Sequence, residues 1–171
     1  MGATFGGMGS SQPARPARHV AASVTTMTEY VLPIHANIHG NVFGGQILAW
    51  LDLCAAICAQ RHTGYTAITV SIDELQFERP IKVGQVVILT ARMTAAFRTS
   101  VEILVEVEGE EATTGVRWPC VSAFVNFVAM DENRVPVPVP PLELVTEEER
   151  ARSAAAQGRR EQRLRRRKVR T

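Results

Sequence analysis

Residues 44–61 read as a helix with almost no polar side. Ile47, Leu48, Leu51, Cys54, Ala55 and Cys58 fall on one helical face, and Trp50, Leu53 and Ile57 widen that face nearly all round. Gly44-Gly45 open the segment, Arg61 and His62 suit the negative end of its dipole, and Gly64 stops it. Apart from two thiols, Asp52 is the only ionisable side chain between His39 and Arg61. An ionised carboxylate is costly to bury without a partner, so position 52 needs an explanation. A helix apolar on nearly every side is surrounded by protein, and in a chain of 171 residues the economical arrangement wraps a curved sheet around it.

The rest of the pattern supplies that sheet. Residues 19–32 are rich in β-branched side chains and stop at Pro33, which predicts a first strand. Residues 34–43 form a loop, with Asn37, His39, Gly40 and Asn41 supplying turn chemistry. After the helix come runs at 66–78 and 83–97, then the clearest period-two segment of the chain. There Val101, Ile103, Val105 and Val107 alternate with Glu102, Leu104, Glu106 and Glu108, so the exposed face is expected to be acidic. A last run spans 116–130 and ends in the turn Asp131-Glu132-Asn133-Arg134. Pro136, Pro138, Pro140 and Pro141 make an extended strap, and Thr146 with Glu149 forms a capping box that opens a polar C-terminal helix. The expected topology is consecutive antiparallel pairing around one core helix. The expected organisation is a flexible leader over 1–18, one domain over 19–145 including the strap, and a charged helix with a basic tail over 146–171.

Charge and composition narrow the classes of function. Residues 159–171 hold eight basic side chains and one acid, a net of +7, which leaves the remaining 158 residues at −5 beneath an overall +2. A mildly acidic body argues against a nucleic-acid-binding core, and the arginine-rich run reads as a solvated helix end. Cys54, Cys58 and Cys120 form neither a disulfide framework nor a zinc knuckle, which points to a reducing compartment and a cytoplasmic location. No run of 18 apolar residues predicts a membrane span, and no apolar block predicts a secretory signal.

Asn37-x-x-Gly40-Asn41-Val42-Phe43-Gly44-Gly45, followed by Trp50-Leu51-Asp52 and the small run Cys54-Ala55-Ala56, resembles the hot-dog-fold acyl-CoA thioesterases, in particular the brain-type cytosolic enzyme and short bacterial relatives. Further matching blocks lie at 69–77, 98–102 and 122–128, and the likeness covers roughly residues 20–150. It implies an α+β hot-dog fold, an antiparallel sheet wrapped around a central apolar helix, with a peripheral C-terminal helix. It implies hydrolysis of fatty acyl-CoA to free acid and coenzyme A, with acyl-CoA as substrate and no separate cofactor or metal. It also implies homodimers that share a sheet, often stacked as trimers of dimers, with the site at the dimer interface.

Carried onto this sequence, the family's catalytic pair falls on Asn41 and Asp52. Gly45 and Asp52 are seven residues apart, about 10 Å along a helix at ~1.5 Å per residue, so one thioester carbon does not easily meet both in a single chain. Two helices meeting across a two-fold axis would solve this. Amides near Gly44, Gly45 and Gln46 would polarise the thioester carbonyl. Asp52 would activate water, or attack directly through a mixed anhydride, while Asn41 would orient water or substrate. Arg79, Lys82, Arg98, Thr99 and Ser100 are the expected contacts for the nucleotide end of coenzyme A. Asp73 and Glu74 are expected to face solvent or pair locally. Two rival functions remain open: a non-catalytic acyl-CoA sensor that binds a partner through its basic tail, and an acyl-carrier-protein thioesterase or dehydratase, the latter requiring His39.

Overall fold

The computed structural model describes residues 15–169; residues 1–14 of the expected leader lie outside that range. Seven strands and two α-helices follow in order: β1 (Arg18–His19), β2 (Thr25–Tyr30), α1 (Gly44–Thr63), β3 (Thr66–Phe77), β4 (Val86–Ala96), β5 (Ser100–Glu110), β6 (Arg117–Met130), β7 (Leu142–Glu143) and α2 (Glu147–Val169). Five strands form an antiparallel sheet in the order β2-β4-β5-β6-β3, and β1 pairs in parallel with β7. This is the hot-dog arrangement, a sheet holding α1 against one face and α2 against the other.

Two details depart from the sequence pattern. The expected first strand is broken, because Val20–Ala22 form a 3₁₀ turn closed by the Ser23 amide on the Val20 carbonyl at 3.2 Å. Pairing is consecutive and antiparallel for β4, β5 and β6 but not for β3, which leaves α1 at the far edge beside β6, while β4 returns to pair with β2. The reason lies in α1, which crosses the sheet and delivers the chain to the edge opposite β2, so that every strand of the sheet can contribute to covering it.

Alternation decides what each face buries. Val101, Ile103, Val105, Val125 and Phe127 are buried in one core with Leu51, Cys54, Ala55 and Cys58 of α1. On the opposite face the expected exposed acids are found at Glu106 and Glu108, and the expectation is corrected at Glu102, which lies under α2 and is fully buried. Arg159 donates to Glu102 at 2.7 Å, and Arg163 reaches both Glu102 and Asp73 at 2.9 Å. Thr94 donates to the same Glu102 carboxylate at 2.9 Å, and Asn126 donates to Asp73 at 3.0 Å. Two of the eight basic side chains of the arginine-rich run, Arg159 and Arg163, therefore do not belong to a solvated helix end but form the clamp that holds α2 on the sheet, and Asp73 pairs with a residue 90 positions away. Phe124 lies 3.5 Å under the Arg159 guanidinium, adding a cation–π contact where water is excluded.

The helix ends follow the expected chemistry. Glu149 accepts from the amides of Thr146 and Val145 at 3.0 and 2.7 Å while Thr146 accepts from the Glu149 amide, so the capping box forms. Those amide bonds hold the Glu149 carboxyl below its usual range. At the other end of α1, Gly64 takes a left-handed conformation, φ 70°, and Arg15 and Arg18 donate to the carbonyls of Thr63, Arg61 and His62.

Candidate active site

The loop before α1 is built around Asn37. Its side-chain oxygen accepts from the amides of His39 and Asn41 at 2.9 and 3.3 Å, and its own amide donates to the Asn41 carbonyl at 2.8 Å. Gly40 makes the turn at φ 74°, where a side chain would be strained. Beyond it the Val42 amide donates to the Ile81 carbonyl at 2.8 Å, and Asn41 forms an isolated bridge with Lys82. The loop is thereby stitched to the chain entering β4. Asn41 contributes an Oδ1 that is buried and has no hydrogen-bond partner, an acceptor held ready at the loop's inner side.

The helix start offers donors next to it. The amides of Gln46 and Ile47 both donate to the Phe43 carbonyl, at 2.8 and 3.2 Å, so Gln46 spends its donor within the helix. No backbone bond from the Gly44 or Gly45 amide occurs among the described residues. These are the orphan donors of a helix N-terminus, aligned with the positive end of its dipole. A cavity of about 370 Å³ opens here, walled by Asn37, Asn41, Gly44, Phe77, Arg79 and Cys120. The ring of Phe77 packs beside Gly44, 3.5 Å from where a Cβ would stand, an ordinary contact distance.

Asp52 lies outside this cavity, eight residues along α1 from Gly44, about 12 Å at ~1.5 Å per residue. It is half-buried, and Thr69 on β3 donates to its Oδ1 at 2.7 Å. That contact answers how the acid is tolerated: a hydroxyl from the neighbouring strand holds it, and part of it stays open. The helix is also less enclosed than its sequence suggests, because Leu53 is 51% exposed beside it.

The expected coenzyme A contacts separate into two groups. Arg79 and Lys82 lie beside the cavity end, Arg79 lining it and stacking over Trp118 at 5.3 Å. Arg98, Thr99 and Ser100 occupy the hairpin at the opposite end of β4, where the Arg98 and Thr99 carbonyls accept from Val139 and Ala129. One chain does not bring them together. Burial pushes the Cys120 thiol up to about 11, so it is a neutral wall of the cavity and no nucleophile. The same cause raises Cys54 to about 11 and Cys58 to about 12. Among the described residues no group of three His, Cys, Asp or Glu side chains is placed to hold a metal ion. The sequence reading gave no role to Thr69 or Cys120 in the site; they reach it only through the path of β3 and β6, which no local motif encodes.

Residues 39–116 match the Thioesterase superfamily. Over 132 residues the chain is 36% identical to the uncharacterized acyl-CoA thioester hydrolase YkhA of Bacillus subtilis, a match spanning 77% of each chain. The chain belongs to the acyl-CoA thioesterase family. It is also 34% identical over 145 residues to the acetyl-coenzyme A thioesterase of Rattus norvegicus, covering 85% of this thioesterase-family chain but 26% of the length of that relative. Among solved structures, an apo-hexameric acyl-CoA thioesterase superposes with a TM-score of 0.85 at 37% identity, covering 89% of this chain and 97% of the other. The acyl-CoA hydrolase of Staphylococcus aureus, solved in complex with butyryl coenzyme A, coenzyme A and coenzyme A disulfide, gives 0.82 at 29% identity over 89% and 93%. That hydrolase has also been solved as three alanine variants, of an asparagine, an aspartate and a threonine at positions 28, 43 and 60 of its own chain, intervals of 15 and 17 residues.

Proposed function

We propose that this chain is an acyl-CoA thioesterase whose active site is shared between two copies. The observation that carries the reading is the placement of its parts along β3. Thr69 holds Asp52 near one end of that strand, and Phe77, at the other end, walls the cavity that contains Asn37, Asn41 and Gly44. β3 is a sheet edge, and Ile68, Val70, Ile72, Leu75 and Phe77 are exposed on it. An uncovered apolar edge strand favours pairing with another strand. If two copies pair antiparallel along β3, the Thr69–Asp52 end of one lies against the Phe77 end of the other, and two identical sites form.

The chemistry then follows. The thioester carbonyl accepts hydrogen bonds from the Gly44 and Gly45 amides, which stabilise the negative charge that develops on its oxygen. Asp52 of the second copy takes a proton from water, whose oxygen attacks the carbonyl carbon. The C–S bond breaks and coenzyme A leaves as a thiolate, which is protonated in solution. A thiol with a pKa of ~8.5 leaves without a strong general acid.

The amide partner of Asp52 comes from the Asn37–Asn41 loop. The intervals 37 to 52 and 52 to 69 equal those between the three positions replaced in the Staphylococcus aureus hydrolase. That coincidence favours Asn37 as the residue that orients substrate, with Asn41 completing the loop through its backbone and its free Oδ1. Fatty acyl-CoA as substrate, a dimer or trimer of dimers as assembly, and the cytoplasm as location belong to the same proposal. The model has no helix among its described residues long and apolar enough to cross a membrane.

Thiol release from a panel of acyl-CoA substrates tests the reading. Wild type turns over, and Asp52→Asn lowers kcat by about 10²-fold or more, the scale of lost acid–base catalysis. Saturable acyl-CoA binding without thiol release would instead identify a sensor. Activity lost in His39→Ala but kept in Asp52→Asn would identify a dehydratase-like site.

A further inference from the structure

The C-terminal helix is longer than the sheet it covers. Ala95, Glu102, Asn126 and Ser71 are register partners across β4, β5, β6 and β3, so they mark one row running straight across the strands. α2 lies along that row. It packs on β4, its Arg159 reaches Glu102 on β5, and its Arg163 reaches Asp73 on β3, the last strand of the sheet. The helix nevertheless continues from Arg163 to Val169. Its 23 residues at ~1.5 Å each give about 34 Å, against about 19 Å for the four strand spacings of ~4.8 Å, so the last six residues, about 9 Å past Arg163, form an overhang directed toward the β3 edge. Among the described residues no strand of the sheet follows β3 on that side.

The overhang differs from the rest of α2 in what it presents. Arg159 and Arg163 are consumed by the buried pairs, whereas Leu164, Arg165 and Arg166 are exposed. Below and beside it runs the edge of β3, where Glu74 is exposed in a bulge with φ 54°. The charge asymmetry fits a particular occupant, since residues 164–171 hold five basic side chains and no acid, a net of +5 that complements a remainder of net −3, and every copy of the chain carries such a remainder.

We propose that the end of α2, from Leu164 onward, is a clasp that crosses the β3 edge and binds the outer face of a second copy. Arg165 and Arg166 pair with carboxylates beside that edge, Glu74 of the second copy first among them. The inference rests on the two-copy reading of the active site and goes beyond it. It assigns the C-terminal arginines to holding the assembly together, at a place remote from the thioester.

The experiment compares the dimer dissociation constant of three proteins by sedimentation: the full chain, a chain ending at Arg163, and the full-length double variant Arg165→Glu/Arg166→Glu. All three keep Arg159 and Arg163, and matching circular dichroism verifies the fold. At about 0.05 M salt both variants raise the dissociation constant by about tenfold or more, and the gap closes at about 1 M salt, where exposed charges are screened. Dissociation constants equal within twofold overturn the clasp and leave the shared site standing. A full chain that is monomeric yet releases thiol overturns the shared site and the clasp together. Loss of binding to phosphatidylserine vesicles in the variants, with an unchanged dissociation constant, makes a membrane the occupant and also overturns the clasp.

Discussion

Thr69 donates a 2.7 Å hydrogen bond to Oδ1 of Asp52, joining the middle of α1 to the free edge strand of the sheet. A hydroxyl donating to a carboxylate oxygen fixes the direction of that carboxylate. For the base proposed above, orientation is what such a bond supplies.

Thr69→Ala is therefore expected to lower kcat by roughly 10- to 100-fold with little change in KM, the size expected when a catalytic group is misplaced. Thr69→Ser restores most of the rate, because it returns the hydroxyl. Steady-state thiol release over a substrate series checks both values, and equal loss in the alanine and serine variants would assign Thr69 to packing alone.

The two loop asparagines separate by experiment. Asn37→Ala removes the acceptor for the His39 and Asn41 amides as well as the proposed substrate contact, and lowers kcat/KM by about 10²-fold or more. Asn41→Ala leaves those loop bonds in place and has a smaller effect. The reverse order would move the substrate-orienting role to Asn41.

Removing one member of a buried ion cluster leaves the remaining charges under-compensated. Arg159→Met strips Glu102 of its bond at 2.7 Å, leaving Arg163 as its one cationic partner, and is expected to destabilise the fold by about 2 kcal/mol. Glu102→Met/Arg159→Met together costs less than Arg159→Met alone, because the buried carboxylate leaves with its guanidinium while Arg163 keeps its bond to Asp73. Urea unfolding at a fixed protein concentration measures both.

His62 is fully buried at the end of α1, with Nε2 3.0 Å from the Pro140 carbonyl and Nδ1 unpartnered. Burial lowers its pKa below the ordinary value near 6.5. As pH falls below about 6.5 the unfolded chain takes up this proton first, so the contribution to stability is complete above that pH and is lost below it. The melting temperature is expected to fall between pH 7 and pH 5, and His62→Gln flattens that slope. An unchanged slope would place the titration elsewhere.

Local pattern carried most of the elements. The period-two runs lie in β5 and β6, the capping box Thr146–Glu149 opens α2, and Gly64 closes α1. It was misleading where a face is covered by something distant in sequence. Glu102 reads as a solvent-facing acid because alternation reports only that it lies opposite Val101 and Ile103, not that a helix from residues 147–169 will cover it.

The sequence by itself determined the helix and the strands around it, because hydrophobic period and capping are properties of neighbouring residues, and its resemblance to a known family pointed to the kind of chemistry. The tertiary structure decided which residues meet. Thr69 finds Asp52, Arg163 finds Asp73, and Phe77 closes on Gly44 only because β3 is sent to the far edge of the sheet. That path is set by how α1 must cross the strands to be buried, a requirement of the packed whole that no short stretch of the chain contains.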